Sequence, residues 1–178
     1  GVTLSVYPVQ DYRFVLVLRG NGLSEGVSET DPQQIGVPPI KAAAESDAAL
    51  KTEQAINGFV DAAGQVLSGR DTANMVLLRG ISQHPSLPDF GDSYRLRPAC
   101  VAAYPMYRGL AKLVGMEVLP TGTNFEMELD TLERRFTDHD FIFLHYKPAD
   151  AAGEDGDFAA KVARLEELDA LIPRLMDL

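Results

Sequence analysis

Asp140-Phe-Ile-Phe-Leu-His145, continuing through Tyr146-Lys147-Pro-Ala-Asp150-Ala-Ala-Gly153-Glu154-Asp155-Gly156-Asp157, is the stretch whose reading decides the fold. An unbroken apolar run between Asp140 and His145 predicts a strand covered on both faces. The glycines that follow predict a loop. Asp157 is a capping residue for a last helix, whose Phe158, Val162, Leu165, Leu168 and Ile172 recur at helical spacing and predict a stripe turned to the core. Upstream the pattern repeats. A strand over Pro98–Ala102, a helix from Pro105 to Val114 stopped by Gly115, a short strand at Met116–Leu119 and a helix around Glu128–Phe136 come in succession. Strands alternating with helices predict an α/β fold: mixed, largely parallel sheet segments with flanking helices.

The first half reads differently. Arg13-Phe-Val-Leu-Val-Leu18 is an apolar run closed by Gly20, which predicts a strand buried on both faces. Gly22, Ser24, Gly26 and Ser28, then Asp31-Pro32 and Pro38-Pro39, predict a long loop, and long loops in compact domains are usually functional. Ser46 or Asp47 can cap the next helix, with Ile56, Phe59, Val60, Ala63 and Leu67 facing inward and Gly69 ending it. Asn74-Met-Val-Leu-Leu78 predicts a second strand, and the proline-bearing stretch from Ser82 to Pro88 a linker, with a module boundary near residue 90.

Composition narrows the function. The 178 residues are 46% hydrophobic and 24% charged, enough to bury a core without disulfides, and no apolar run reaches the roughly 18 to 20 residues of a membrane span. No membrane role is expected. Sixteen basic against 26 acidic side chains give a net charge of −10, which argues against nucleic acid and requires any small anion to be met by local arginines or a metal. Cys100 is the single cysteine, flanked by Ala99, Val101, Ala102 and Ala103, and reads as a packed thiol. No signal-peptide pattern is present, Gly1 reads as an excised or processed start, and the cytoplasm is the expected compartment. Oligomeric state is left open.

Two groups of residues carry chemistry. Gly20-Asn-Gly22 opens like a dinucleotide fingerprint but places Glu25 where the third glycine belongs, so it reads as a turn. Asp150 and Glu154 stand four residues apart after a strand end, where open α/β sheets bind ligands. They read either as oxygen ligands to one hard divalent ion or as a solvated acidic loop. His145 reads as a strand-end histidine, and His84 and His139 receive no role. Arg13, Asp31, Asn74 and Arg79 form the second group, with both arginines beside apolar runs and their planar forks suited to phosphate or carboxylate. Charged strand ends are the plainer alternative.

Read together, these groups resemble the archaeal-type cofactor-independent phosphoglycerate mutases of the alkaline phosphatase superfamily. Tyr12-Arg13 with Val15 to Gly20, Leu23-Ser24 and Thr30-Asp31-Pro32 is similar to that family's His-Arg strand and Asp-Pro-His loop. Ala73-Asn74-Met-Val-Leu-Leu-Arg79-Gly80 resembles its Ala-Asn-x-x-Leu-x-Arg-Gly segment, and Tyr104-Pro-Met-Tyr-Arg-Gly109 with Gly115-Met116 a later one. His145-Tyr-Lys147 to Asp157-Phe158, with Lys161-Val162, resembles the His-x-Lys-x-x-Asp-x-x-Gly-His-Asp-Gly-Asp-Phe block. Tyr12, Gln33 and Glu154 stand where the family has histidines.

The resemblance implies an alkaline phosphatase-like core fragment plus an inserted cap domain, with residues 1–90 as cap and 91–178 as part of the metal-binding catalytic domain. It implies Asp150 as a metal ligand with Glu154 in the place of a histidine ligand, manganese or magnesium as the metal, and Arg13, Asp31, Asn74 and Arg79 on the substrate side. The implied activity of the whole protein is interconversion of 3-phosphoglycerate and 2-phosphoglycerate through a phosphoserine whose serine is not among these residues. Two alternatives stand beside it: a degenerate homologue that binds a phosphorylated metabolite or a partner without catalysis, and a related phosphotransferase with another substrate.

Overall fold

A computed structural model describes residues 1–10 and 12–178. The chain divides into two compact units, Gly1–Pro85 and Ser86–Leu178.

In the first unit, β1 (Thr3–Pro8) pairs antiparallel with β2 (Phe14–Arg19), joining Leu4 to Leu18, Val6 to Leu16 and Pro8 to Phe14. β1 escaped the sequence reading because its apolar residues only alternate and it ends in proline. β2 is not buried on both faces as its unbroken apolar run predicts: Phe14, Leu16 and Leu18 pack on the core while Val15 is 49% exposed. A two-stranded ribbon with one covered face enforces that alternation. The covering element is α1 (Leu50–Leu67), entered through a single 3-10 turn at Asp47–Ala49, with Ile56 and Val60 buried and Phe59 packed beside them. Ser46 stands at the cap position in extended conformation but makes no side-chain capping bond.

Asn74–Leu78 is not a strand. The segment runs without regular secondary structure, and Leu78 bonds to Thr30 rather than to a ladder. Val27, Ala42 and Leu78 complete the core beneath α1.

The second unit is built on a parallel sheet of order β4-β3-β5, comprising β3 (Pro98–Ala102), β4 (Glu117–Val118) and β5 (Phe141–His145). Every residue of the central strand is buried. Its small side chains alternate: Cys100 and Ala102 face α3 (Pro105–Leu113), and Ala99 and Val101 share the other face with Leu119, Ile142 and Leu144. Onto Ile142 and Leu144 pack Phe125, Leu129 and Leu132 of α4 (Phe125–Arg135). That helix begins three residues before the expected Glu128, because the Asn124 side chain accepts the Met127 amide at 2.9 Å and so caps it. The mixed α/β class with largely parallel pairing is therefore as the alternating pattern implies.

Unpredicted is α2 (Phe90–Tyr94), capped by Asp89, whose side chain accepts the Asp92 amide at 2.9 Å. Gly115 follows α3 with φ +77°, and a Cβ there would lie 1.7 Å from the Asp89 carboxylate. Only glycine serves at that position.

Two expectations after β5 fail. The glycine-bearing stretch is a helix, α5 (Pro148–Glu154), not a loop. Proline at its start presets the helical φ, Asp150 lies in the first turn, and Gly153 falls only in the last turn, where its cost is small. Asp157 does cap α6 (Phe158–Asp169), accepting the Ala160 amide at 2.9 Å, but of the apolar stripe only Leu168 packs on the α4 core: Phe158 is 80% exposed and Val162 and Leu165 are 38% and 46% exposed. The helix ends at Asp169 and the chain restarts as α7 (Ile172–Met176), so that Leu168, Leu171 and Leu175 are the side chains that reach the α4 core.

Candidate functional site

In the first unit, two short segments are clamped together. The Thr30 amide donates to the Leu78 carbonyl at 3.0 Å and the Leu78 amide donates to Thr30 Oγ1 at 2.7 Å, while the Gly80 amide donates to Glu29 Oε1 at 2.8 Å. Arg79 is thereby set against two carboxylates, with Nη1 3.5 Å from Asp31 Oδ2 and Nε 3.7 Å from Glu29 Oε2. Asp31 is fixed in turn by the Gln33 amide, which donates to Oδ1 at 2.7 Å. Of the four substrate-side candidates, Asp31 and Arg79 are brought into contact. Arg13 holds its guanidinium 4.8 Å from the centre of the Tyr12 ring, and Asn74 is exposed, four residues before Leu78. Thr30, the buried hydroxyl on which this clamp depends, enters the sequence reading only as a neighbour in the Thr30-Asp31-Pro32 motif; its place between a polar loop and Asp31-Pro32 is the signal of its burial.

A cleft of about 720 Å³ in the same unit runs between β2, the α1 residues Thr52 and Ile56, and the stretch from Leu77 to His84, with Arg79 in its wall.

The second unit supplies the sharper geometry. β4 lies on one side of β3 and β5 on the other, while α3 and α4 cover opposite faces, so the chain reverses its direction of winding at the carboxyl ends of β3 and β5. Such a switch point opens a crevice where α/β proteins bind ligands. His145 ends β5 opposite Ala102, and its ring stacks on Tyr107 with centroids 3.5 Å apart. Burial and the Lys147 charge lower the His145 pKa, and its Nδ1 is buried without a partner among the described residues. Lys147 lies 5.7 Å from the Tyr104 ring centre, and its ammonium bonds to Asp150 and, at 3.2 Å, to Glu154. That contact lowers the Asp150 pKa.

Because α5 is helical, Asp150 and Glu154 sit one turn apart on one face rather than across a loop. Their hard oxygens suit Mg or Mn. Among the described residues no group of three or more His, Cys, Asp or Glu side chains could hold a metal ion, and this pair offers two carboxylates only. Cys100 is buried and its thiol pKa is pushed up by burial, which matches a packed, unreactive side chain. His139, given no role in the sequence, binds Glu117 at 3.0 Å through Nε2 and ties α4's end to β4.

A family profile described as the metalloenzyme superfamily matches residues 14–178. The chain belongs to the metalloenzyme superfamily. Membership implies use of a divalent metal. The chain is similar to the "probable 2,3-bisphosphoglycerate-independent phosphoglycerate mutase" of Thermosipho melanesiensis, at 44% identity over 177 residues, covering 99% of this chain and 44% of the relative. It is similar to a protein of the same description from Thermus thermophilus at 43% identity over 180 residues, again covering 99% and 44%. The chain thus spans about 44% of the length of these curated relatives.

Among solved structures, the cofactor-independent phosphoglycerate mutase of Thermoplasma acidophilum matches with a TM-score of 0.55 and 23% identity over 94% of this chain and 48% of that one, a likeness of fold. A Pyrococcus horikoshii protein matches with a TM-score of 0.59 and 28% identity over 74% and 39%. The alkaline phosphatase-like fold expected from the resemblance is thus the fold of this superfamily.

Proposed function

We propose that this chain is part of a 2,3-bisphosphoglycerate-independent phosphoglycerate mutase that interconverts 3-phosphoglycerate and 2-phosphoglycerate in the cytoplasm. The observation that carries the reading is the 44% identity, spread over 177 residues, to a relative described as such a mutase. In this reading residues 1–90 are the cap and residues 91–178 part of the metal-binding domain, and the phosphate-carrying serine is supplied outside these 178 residues.

Arg13, Asp31, Asn74 and Arg79 form the substrate side. Glu29 and Asp31 orient the Arg79 fork and lower the net charge around it, so that a phosphorylated carboxylate meets a preset donor pair rather than a free-swinging cation. Asp150 and Glu154 contribute ligands to a Mn or Mg ion, which when bound neutralises phosphate charge and lowers the nucleophile's pKa. Lys147 keeps the two carboxylates together and lowers the Asp150 pKa, and Tyr107 stacks over the His145 ring.

A coupled assay of the full-length protein with 3-phosphoglycerate, before and after chelation and with Mn or Mg restored, tests this. Metal-dependent turnover is expected. The competing reading, binding without catalysis, draws on the resemblance, which sets Glu154 in the place of a histidine ligand, and on the Lys147 that it shares with Asp150. Phosphoglycerate binding by calorimetry with no turnover under any metal would replace the mutase reading with that one. Turnover of a different phosphorylated substrate in a panel would point to a related phosphotransferase.

A further inference from the structure

The crevice at the carboxyl ends of β3 and β5 contains one buried acid for which the proposed reaction has no task. Glu128, on α4, is 3% exposed. Its Oε1 accepts the Ala103 amide at 2.5 Å, and its Oε2 is buried with no partner among the described residues. A half-satisfied buried carboxyl costs stability, so its presence calls for a reason beyond packing. Leucine would fit an α4 face that already carries Phe125, Leu129 and Leu132.

The bond to Ala103 fixes the turn by which β3 passes into α3. Tyr104 precedes α3 in extended conformation and Pro105 opens the helix. The Tyr104 and Tyr107 rings lie 6.0 Å apart; Tyr107 stacks on His145 at 3.5 Å and Tyr104 faces the Lys147 ammonium at 5.7 Å. Lys147 in turn holds Asp150 and Glu154. A short chain of contacts thus leads from the Glu128 carboxyl to the residues that the proposed function assigns to the metal.

We propose that Glu128 is a positioning residue of this crevice: by holding the Ala103 amide it sets Tyr104 and Tyr107 against Lys147 and His145. A carboxylate accepts an amide more strongly than the neutral acid does, so proton uptake loosens the turn. Burial raises the Glu128 pKa to about 7, opposed only by the Ala103 amide, which puts this change near neutrality. The titratable group of β3 that feels the Glu128 charge is Cys100, on the sheet face turned to α3; its thiol pKa is raised by burial first, lowered by Arg108 of α3 and raised by Glu128, so it stays protonated while Glu128 ionises. The inference rests on the mutase reading only for the importance of the crevice.

The test uses the full-length protein, its Glu128→Gln and Glu128→Leu variants, and nuclear magnetic resonance with selectively labelled Ala, Tyr, His and Leu across about two pH units either side of 7. In the native chain the Ala103 amide and Tyr107 ring signals should share one inflection near pH 7, and Ala103 amide exchange, corrected for its intrinsic pH dependence, should slow by about tenfold on the alkaline side. Glu128→Gln should abolish the inflection while keeping the Tyr107–His145 contact. Glu128→Leu should lose that contact while the Leu129 and Leu132 methyl signals remain those of a folded core. Identical pH profiles in the native chain and Glu128→Gln overturn the proposal, as does an intact Tyr107–His145 contact in a folded Glu128→Leu. Should the leucine variant fail to fold, the glutamine comparison decides alone. Because no readout is mutase turnover, an inactive full-length protein would sink the mutase reading and leave this result standing.

Discussion

Thr30 and Leu78 bind each other twice, backbone amide to carbonyl at 3.0 Å in one direction and amide to hydroxyl at 2.7 Å in the other. Thr30 is fully buried, so neither group of this pair can turn to water instead. Thr30→Val keeps the shape and removes the acceptor, stranding the Leu78 amide. The expected loss is about 1 to 3 kcal/mol in urea-induced unfolding. Thr30→Ser retains the oxygen and loses one methyl, for about 1 kcal/mol. A valine variant as stable as the native chain would show that the clamp placing Arg79 against Asp31 has another source.

Asp140 meets Arg97 through a side-chain fork, with Nη2 at 2.9 Å and Nε at 3.1 Å, and also accepts the Arg97 amide at 3.0 Å. The Arg97 side chain, then its backbone amide, lowers the Asp140 pKa to about 2. A carboxyl depressed in the folded state contributes its stability above the unfolded value of about 3.9 and loses it as pH falls toward 2. Thermal midpoints of the native chain should therefore fall between about pH 4 and pH 2. Asp140→Asn should start from a lower midpoint and fall less steeply over that interval. Equal acid slopes in both proteins would show that the fork adds nothing to the joining of β3 and β5.

The elements that read correctly in the sequence are those whose burial and periodicity agree. Pro98–Ala102 is an unbroken apolar run and becomes a strand with every residue covered, and the Gly115 stop holds because a side chain there would strike Asp89. Phe14–Arg19 misled because an apolar run says nothing about how many faces are covered: Val15 is apolar and 49% exposed. Asn74–Leu78 misled because its amide partner is a threonine hydroxyl 48 residues away, which no local pattern encodes. In the 148–154 stretch, glycine spacing outweighs the proline that starts a helix, so Asp150 and Glu154 read as a loop pair where the structure has a helix that sets them one turn apart. Glu128 was invisible because burial of a carboxyl is decided by the sheet beneath it, not by its neighbours in the chain.

Lys147 competes for the carboxylates assigned to the metal. Removing it in Lys147→Met should raise the Asp150 pKa, since the Lys147 bond is the leading cause of its lowering. It should also free two oxygens for a divalent ion. Ion pairs whose acids are more than half exposed are weak competitors, so Mn affinity should rise only a few-fold above pH 7. Asp150→Asn should weaken it relative to the native chain. Proton relaxation of water in Mn titrations of the full-length protein reads both changes without any turnover. A native affinity equalled by Asp150→Asn would remove Asp150 from the ligand set.

Glu128 gives the opposite pH slope from Asp140. Its pKa is raised in the folded state to about 7, so between the unfolded value of about 4.3 and 7 the folded chain binds more protons than the unfolded one. The associated stability is fully present below about pH 4.3, declines as pH rises toward 7 and is gone above it. At 1.36 kcal/mol per pH unit the decline is on the order of 3 to 4 kcal/mol. Glu128→Gln cannot ionise and should show no such decline, becoming more stable than the native chain at pH 8 and comparable to it near pH 5. Chemical denaturation at both pH values, with Asp140→Asn as a second background, separates the two carboxyls because their windows do not overlap. A native chain whose stability is level between pH 5 and pH 8 would mean that the Ala103 amide, or a donor from elsewhere in the protein, keeps Glu128 charged throughout.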